Sequence, residues 1–312
     1  MTLHNFRILF LFLAVLFAGP AQSSDGLPIC FMVGAGNGEP QGLERMKKTL
    51  NEQGIEFHSF RPGKKGTVIE RAQSLARLVE AKIEKNPRFR CHAFAYSMGG
   101  LVSRYSYHHV RLNPSNSWPR GFDEVFMSIT TFSSPHQGTP LAAWLKRYAP
   151  GYSLGVDDLS EENTVKYNSP DFPETFSPPP VGIPNFSYLT FMESKDEAMS
   201  FISKAGFQII ESIYEDRGWE SRSDGVVPLI SQPYGRVVAA VQAEHEYFDD
   251  DIGLRPWAGD IYTVHWQFLE GKLDSVNTKS LGLKKASELL RRDDMQGWGV
   301  SKDFVPMLST LF

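Results

Sequence analysis

The sequence predicts a doubly wound α/β fold with a mainly parallel sheet. Three observations carry this. Short apolar runs end in glycine-rich or polar breaks. Amphipathic stretches of helical period lie between them. Strand and helix alternate through the first 132 residues, as successive βαβ units require.

The elements follow in chain order. Residues 1–21 hold one formal charge, Arg7, then an apolar run over 8–17 and the small residues Ala18, Gly19, Pro20 and Ala21. Basic, apolar, small is the order of a secretory signal, and the run is too short for a comfortable membrane span. The expectation is cleavage after about Ala21, secretion or delivery to the periplasm or cell envelope, and a mature chain one unit more negative than the full-length −4. Residues 22–312 then form a single domain.

Residues 28–33 (PICFMV) read as a buried strand, broken by 34–38 (GAGNG). Residues 42–53 carry Leu43, Met46 and Leu50 at helical spacing, with Gly54 at the C-terminal cap. Residues 55–60 are a second strand. Over 67–85, Ile69, Ala72, Leu75, Ala76, Val79 and Ile83 line one helix face. Residues 89–96 (FRCHAFAY) form a third strand, 101–110 a helix and 125–132 (VFMSITTF) a fourth strand. Residues 140–185 break the rhythm. They are rich in Pro, Tyr, Phe, Ser and Asn, with helical character over 141–148, and read as a cap over the sheet. Strand character returns at 185–192 and 236–243, helix at 196–215 and 281–292.

Composition narrows function. The chain is 41% hydrophobic and 22% charged, ordinary for a globular protein. Net charge −4 excludes the basic surplus of a nucleic-acid binder. Cys30 and Cys91 are the only cysteines. They fall on neighbouring predicted strands, where a disulfide has awkward geometry, so two small buried side chains are expected.

The chemistry centres on Ala95-Tyr96-Ser97-Met98-Gly99-Gly100, between a strand and a helix. This is the Gly-x-Ser-x-Gly nucleophile elbow with alanine in first place. The turn is tight enough to demand small residues two before and two after the serine. Ser97 then sits at a helix N-terminus, where the dipole favours developing negative charge. A serine needs a base, and the base needs a carboxylate, in the chain order Ser, acid, His. Asp224, in Ser223-Asp224-Gly225-Val226-Val227-Pro228, is the carboxylate candidate.

Two histidines follow it, His245 after 21 positions and His265 after 41. His245 stands among five carboxylates in the sequence (Glu244, Glu246, Asp249, Asp250, Asp251), a field expected to keep the imidazole protonated. His265 has the neutral neighbours Tyr262, Thr263, Val264, Trp266 and Gln267, and is chosen as the base. The oxyanion donors are expected from the amide of Met98 and that of Ala35 or Gly36. The glycine loop lacks full Gly-x-Gly-x-x-Gly spacing and no Walker lysine follows, which excludes a nucleotide cradle.

These segments resemble the lipase branch of the α/β-hydrolase superfamily, over about residues 28–271. The likeness rests on the glycine loop, AYSMGG, residues 133–140 (SSPHQGTP) and SDGVVP. It implies an α/β-hydrolase fold, and makes His136 a structural residue. Residues 257–271 look like the histidine loop of the larger bacterial lipases, and Gln267 and Lys272 stand where those carry calcium-binding acids. The implied activity is carboxylic ester hydrolysis through Ser97, Asp224 and His265, without cofactor or metal. Lipid or other esters are the expected substrates, with Trp144, Tyr148, Phe172 and Phe176 lining an acyl pocket, transient contact with a membrane or lipid interface, and no nucleic acid. Acyl transfer to another acceptor, cleavage of a polyester or thioester, and a non-catalytic binding protein of the same fold are the alternatives.

Overall fold

The structure is a computed structural model and describes residues 26–32, 43–63, 66–112, 122–148, 155–168, 183–245, 258–285 and 288–290. The expected signal segment, the glycine loop and the stretch holding Phe172 and Phe176 lie outside these residues.

Six strands form one sheet, parallel throughout. They are β1 (Ile29–Met32), β2 (Phe57–Phe60), β3 (Cys91–Tyr96), β4 (Phe126–Phe132), β5 (Asn185–Phe191) and β6 (Arg236–Gln242), in the spatial order β2-β1-β3-β4-β5-β6. The helices are α1 (Leu43–Glu52), α2 (Val68–Lys85), α3 (Met98–Leu112), α4 (Phe122–Val125), α5 (Pro140–Tyr148), α6 (Glu161–Asn168), α7 (Phe201–Asp216) and α8 (Ala258–Leu269). The order reverses between β1 and β3. In a parallel α/β sheet such a switch point opens a crevice at the carboxyl ends of its strands. Ser97 follows β3 there.

Local sequence explains the elements. The apolar face of α2 is buried against α3 and β3, and Thr67 caps it in a capping box with Glu70. β3 and β5 are buried along their whole length, as strands covered on both faces must be. α8 covers one face of the sheet with Ile261, Tyr262, His265 and Trp266. Among the described residues no helix is long and apolar enough to cross a membrane.

Three expectations are corrected. Cys30 and Cys91 are joined by a disulfide with Cα atoms 5.8 Å apart. The ladder sets Cys30 beside Ala93, so Cys91 lies one diagonal step away on the same face, within disulfide reach. The described residues of the expected closing helix over 281–292, namely 281–285 and 288–290, are not α-helical. They include a turn and an isolated antiparallel bridge between Lys284 and Ala240, which places Leu283, Leu289 and Leu290 in the core. Residues 258–269, read as a loop, form α8.

Candidate active site

Ser97 has φ of +54°, a left-handed conformation costly for a residue with a Cβ. The strand-to-helix turn imposes it: the Ser97 amide donates to Phe132 O of β4 while Met98 already begins α3. A Cβ on Gly100 would run into the side chain of Ser134, so glycine is required where α3 crosses the segment after β4. The first amides of a helix have no intrahelical acceptor, and that of Met98 is among them.

The imidazole beside Ser97 belongs to His245. Its Nε2 lies 2.9 Å from Ser97 Oγ and its Nδ1 lies 2.8 Å from Asp224 Oδ2. A carboxylate only accepts, so Nδ1 carries the proton and Nε2 accepts the serine hydroxyl. The His245 amide also donates to Asp224 O at 2.7 Å. Tyr96 holds the ring from the other side, stacked at 5.2 Å, with its hydroxyl donating to the His245 carbonyl. Asp224 is wholly buried. Its Oδ1 accepts the amides of Val226 (3.0 Å) and Val227 (2.7 Å), and its Oδ2 accepts the Thr190 hydroxyl (2.7 Å) beside His245. Gly225, at φ +91°, makes the turn and lies against Ser203 of α7.

The choice of His265 is therefore corrected. His265 is fully buried inside the face of α8, with Nε2 2.8 Å from Thr130 Oγ1 and Nδ1 3.0 Å from Tyr188 Oη. Burial, then the neighbouring His92, push its pKa down to about 3. It is a neutral packing residue with both nitrogens occupied. Of the five carboxylates held against His245, Glu244 is the one within the described residues, and it is engaged elsewhere. The Glu244 carboxylate turns away and accepts the amides of Met199 (3.1 Å) and Ser200 (3.2 Å) ahead of α7. The assignment of Gln267 and Lys272 to calcium-ligand positions was anchored on His265 and lapses with it. Lys272 lies over the Trp266 ring, 4.3 Å from its centroid. Among the described residues no three His, Cys, Asp or Glu side chains gather as a metal site.

His136 is buried, its Nδ1 3.2 Å from the Arg104 guanidinium, its Nε2 3.2 Å from Thr131 Oγ1 and its ring stacked on Tyr234 at 4.6 Å. Burial and the Arg104 charge hold it well below the usual histidine range. Trp144 and Tyr148 stand on the exposed side of α5, their rings 5.1 Å apart. Sequence reasoning missed Tyr96 and Thr190 as partners of the site. Tyr96 was within sight, as the variable residue before the nucleophile. It also missed Met199, Phe201 and Ile202, large apolar side chains exposed at the start of α7.

A comparison with protein-family models and one with curated proteins each found no match. Solved structures do match. Lipase 1 from Pelosinus fermentans aligns with TM-score 0.58 and 16% identity over 78% of this chain and 98% of its own. EstA from Clostridium botulinum gives 0.58 and 15% over 84% and 90%. The Staphylococcus hyicus lipase gives 0.53 and 15% over 94% and 98%. The fold is that of the α/β-hydrolases. At these identities the likeness speaks for architecture, and the site's chemistry stands on its own geometry.

Proposed function

We propose that the protein is a serine hydrolase of carboxylic esters, with Ser97 as nucleophile, His245 as general base and Asp224 as its orienting carboxylate. The observation that carries this reading is the continuous hydrogen-bond chain Ser97–His245–Asp224 at a strained strand-to-helix turn. His245 takes the Ser97 proton as Oγ attacks the ester carbonyl, and buried Asp224 balances the imidazolium that forms. The Met98 amide at the start of α3 is one oxyanion donor, and Ala35 or Gly36 supplies the second. The imidazolium then protonates the leaving alcohol, and water repeats the sequence on the acyl-enzyme. Ser97, His245 and Asp224 account for each proton transfer, and the reading uses no cofactor.

Lipid esters are the substrates this reading favours. The structural neighbours include proteins named as lipases. Trp144 and Tyr148 on α5, with Phe201 and Ile202 on α7, present exposed apolar side chains on two helices that pack together. They would receive the acyl part and touch a lipid interface. Export belongs to the same reading: the 1–21 segment has the order of a secretory signal, and the Cys30–Cys91 disulfide suits an oxidising compartment.

Turnover of nitrophenyl esters of graded chain length tests the activity. Ser97→Ala should fold and lose about three to six decades of kcat/KM. Retention of more than a tenth of wild-type turnover would remove Ser97 from the mechanism.

A further inference from the structure

Behind Asp224 the hydrogen-bond chain continues to Thr190 of β5 and to Ser133, the residue after β4. Thr190 Oγ1 lies 2.7 Å from Asp224 Oδ2 and 3.3 Å from Gln232 Oε1. A hydroxyl has one proton, and the shorter bond to a carboxylate takes it. Ser133 Oγ lies 2.7 Å from Thr190 Oγ1, so Ser133 donates to Thr190. Ser133 has φ of +52°, which makes it and Ser97 the two non-glycine residues with positive φ in the described chain. Gln232 fixes the Thr190 backbone: its Oε1 accepts the Thr190 amide (2.7 Å) and its Nε2 donates to Thr190 O (2.8 Å). Ser133, Thr190, Asp224 and Gln232 are all at most 1% exposed.

We propose that Thr190 is a positioning residue of the hydrolytic site: its hydroxyl, supplied by Ser133, fixes the Asp224 oxygen that faces His245 and shares that oxygen's charge. The inference rests on the reading of Ser97, His245 and Asp224 given above. The carboxylate has two oxygens and four acceptor directions. Two amides hold Oδ1, which leaves Oδ2 to divide between the Thr190 hydroxyl and the imidazole. The hydroxyl therefore acts in two ways. It stops the carboxylate rotating away from His245. It also draws electron density from Oδ2, so the imidazolium is stabilised less than by a bare carboxylate, and His245 gives up its proton more readily. Groups facing His245 from packed elements include Asp224 from the turn after α7 and Tyr96 from β3, while Glu244 beside it in the chain is engaged at α7.

Thr190→Val removes the donor and keeps the side-chain shape. The His245 midpoint, followed by NMR of the full chain, should rise by about half to one pH unit. The acid limb of kcat against pH should move with it. At its plateau kcat should fall about five- to fiftyfold, with KM within twofold. Thr190→Ser should restore both midpoint and rate to within about twofold. Ser133→Ala should move the midpoint the same way by a smaller amount, and keeps the test alive if the valine variant does not fold. An unchanged midpoint in Thr190→Val, or a serine variant as impaired as the valine one, overturns the proposal. The histidine titration needs no turnover. A chain without ester hydrolysis would defeat the functional reading, while an unmoved midpoint in an active enzyme would defeat only this one.

Discussion

The sheet carries two serine–histidine–carboxylate constellations, one at each end. At the carboxyl end, Ser97, His245 and Asp224 are linked at 2.9 and 2.8 Å. Toward the amino end, Ser128 Oγ lies 2.8 Å from His92 Nδ1, and His92 Nε2 lies 2.8 Å from Glu270 Oε1. The distances are indistinguishable, and the surroundings differ in every respect that chemistry needs. Ser97 is partly exposed on a strained turn at a helix N-terminus. Ser128 is fully buried inside β4 rather than at a helix N-terminus, beside the register shift between β3 and β4 at Cys91–His92. Glu270 also accepts the Leu27 amide at 3.2 Å, so the second constellation ties the start of β1 to the end of α8. On the proposed function, hydrogen-bonded Ser, His and acid do not suffice for a hydrolytic site: access, strain and an oxyanion site set the first constellation apart from the second.

Substitutions sharpen that contrast. The largest effect should come from His245→Ala, which removes the base and should lower kcat/KM by about three to five decades. The corresponding His92→Gln should change turnover less than threefold, and equal losses in the two would erase the distinction. Asp224→Asn should cost about two to four decades, because an amide can present its NH₂ to His245 and select the wrong tautomer. Steady-state kinetics at pH 8 checks this; a loss under tenfold would show that the carboxylate is not needed. Ser128→Ala leaves His92 Nδ1 buried without its partner and should lower unfolding free energy by about 1–3 kcal/mol with turnover unchanged. Urea denaturation measures the first and the nitrophenyl assay the second.

A further effect is one of pH. His265 is held neutral down to about 3, while the unfolded chain titrates near 6.5. Between these values the unfolded state binds the extra proton. This contribution is therefore complete above about pH 6.5 and falls as pH drops toward 3. His92, also lowered by burial, acts in the same direction. His265→Gln should flatten the fall in unfolding free energy between pH 7.5 and 4.5, and an unchanged slope would show that His265 is not held neutral.

Much of this architecture was legible in the sequence because it is local. The apolar runs gave the strands within one or two residues, the 3.6-residue period gave α2, and AYSMGG located the turn at Ser97. SDGVVP gave Asp224 because a short carboxylate in a glycine turn folds back on its own amides. The histidine was not legible. Whether Glu244 faces His245 or reaches the amides ahead of α7 is decided by tertiary packing, and the neutral sequence around His265 was the signature of a buried helix. Thr190 was hidden for the same reason, since its strand residue meets Asp224 only across 34 positions of chain. The cysteines were read as unpaired because strand adjacency was considered without the diagonal register that joins them.

Covalent labelling with a fluorophosphonate, followed by peptide mass spectrometry, tests the central assignment most directly. The reagent needs an activated serine and no knowledge of the natural ester. Wild-type protein should be labelled on the peptide containing Ser97 alone. Ser97→Ala should take up none, His245→Ala should react at least a hundredfold more slowly, and His265→Gln should react at the wild-type rate. Label on the Ser128 peptide, or undiminished labelling of Ser97 in His245→Ala, would contradict it.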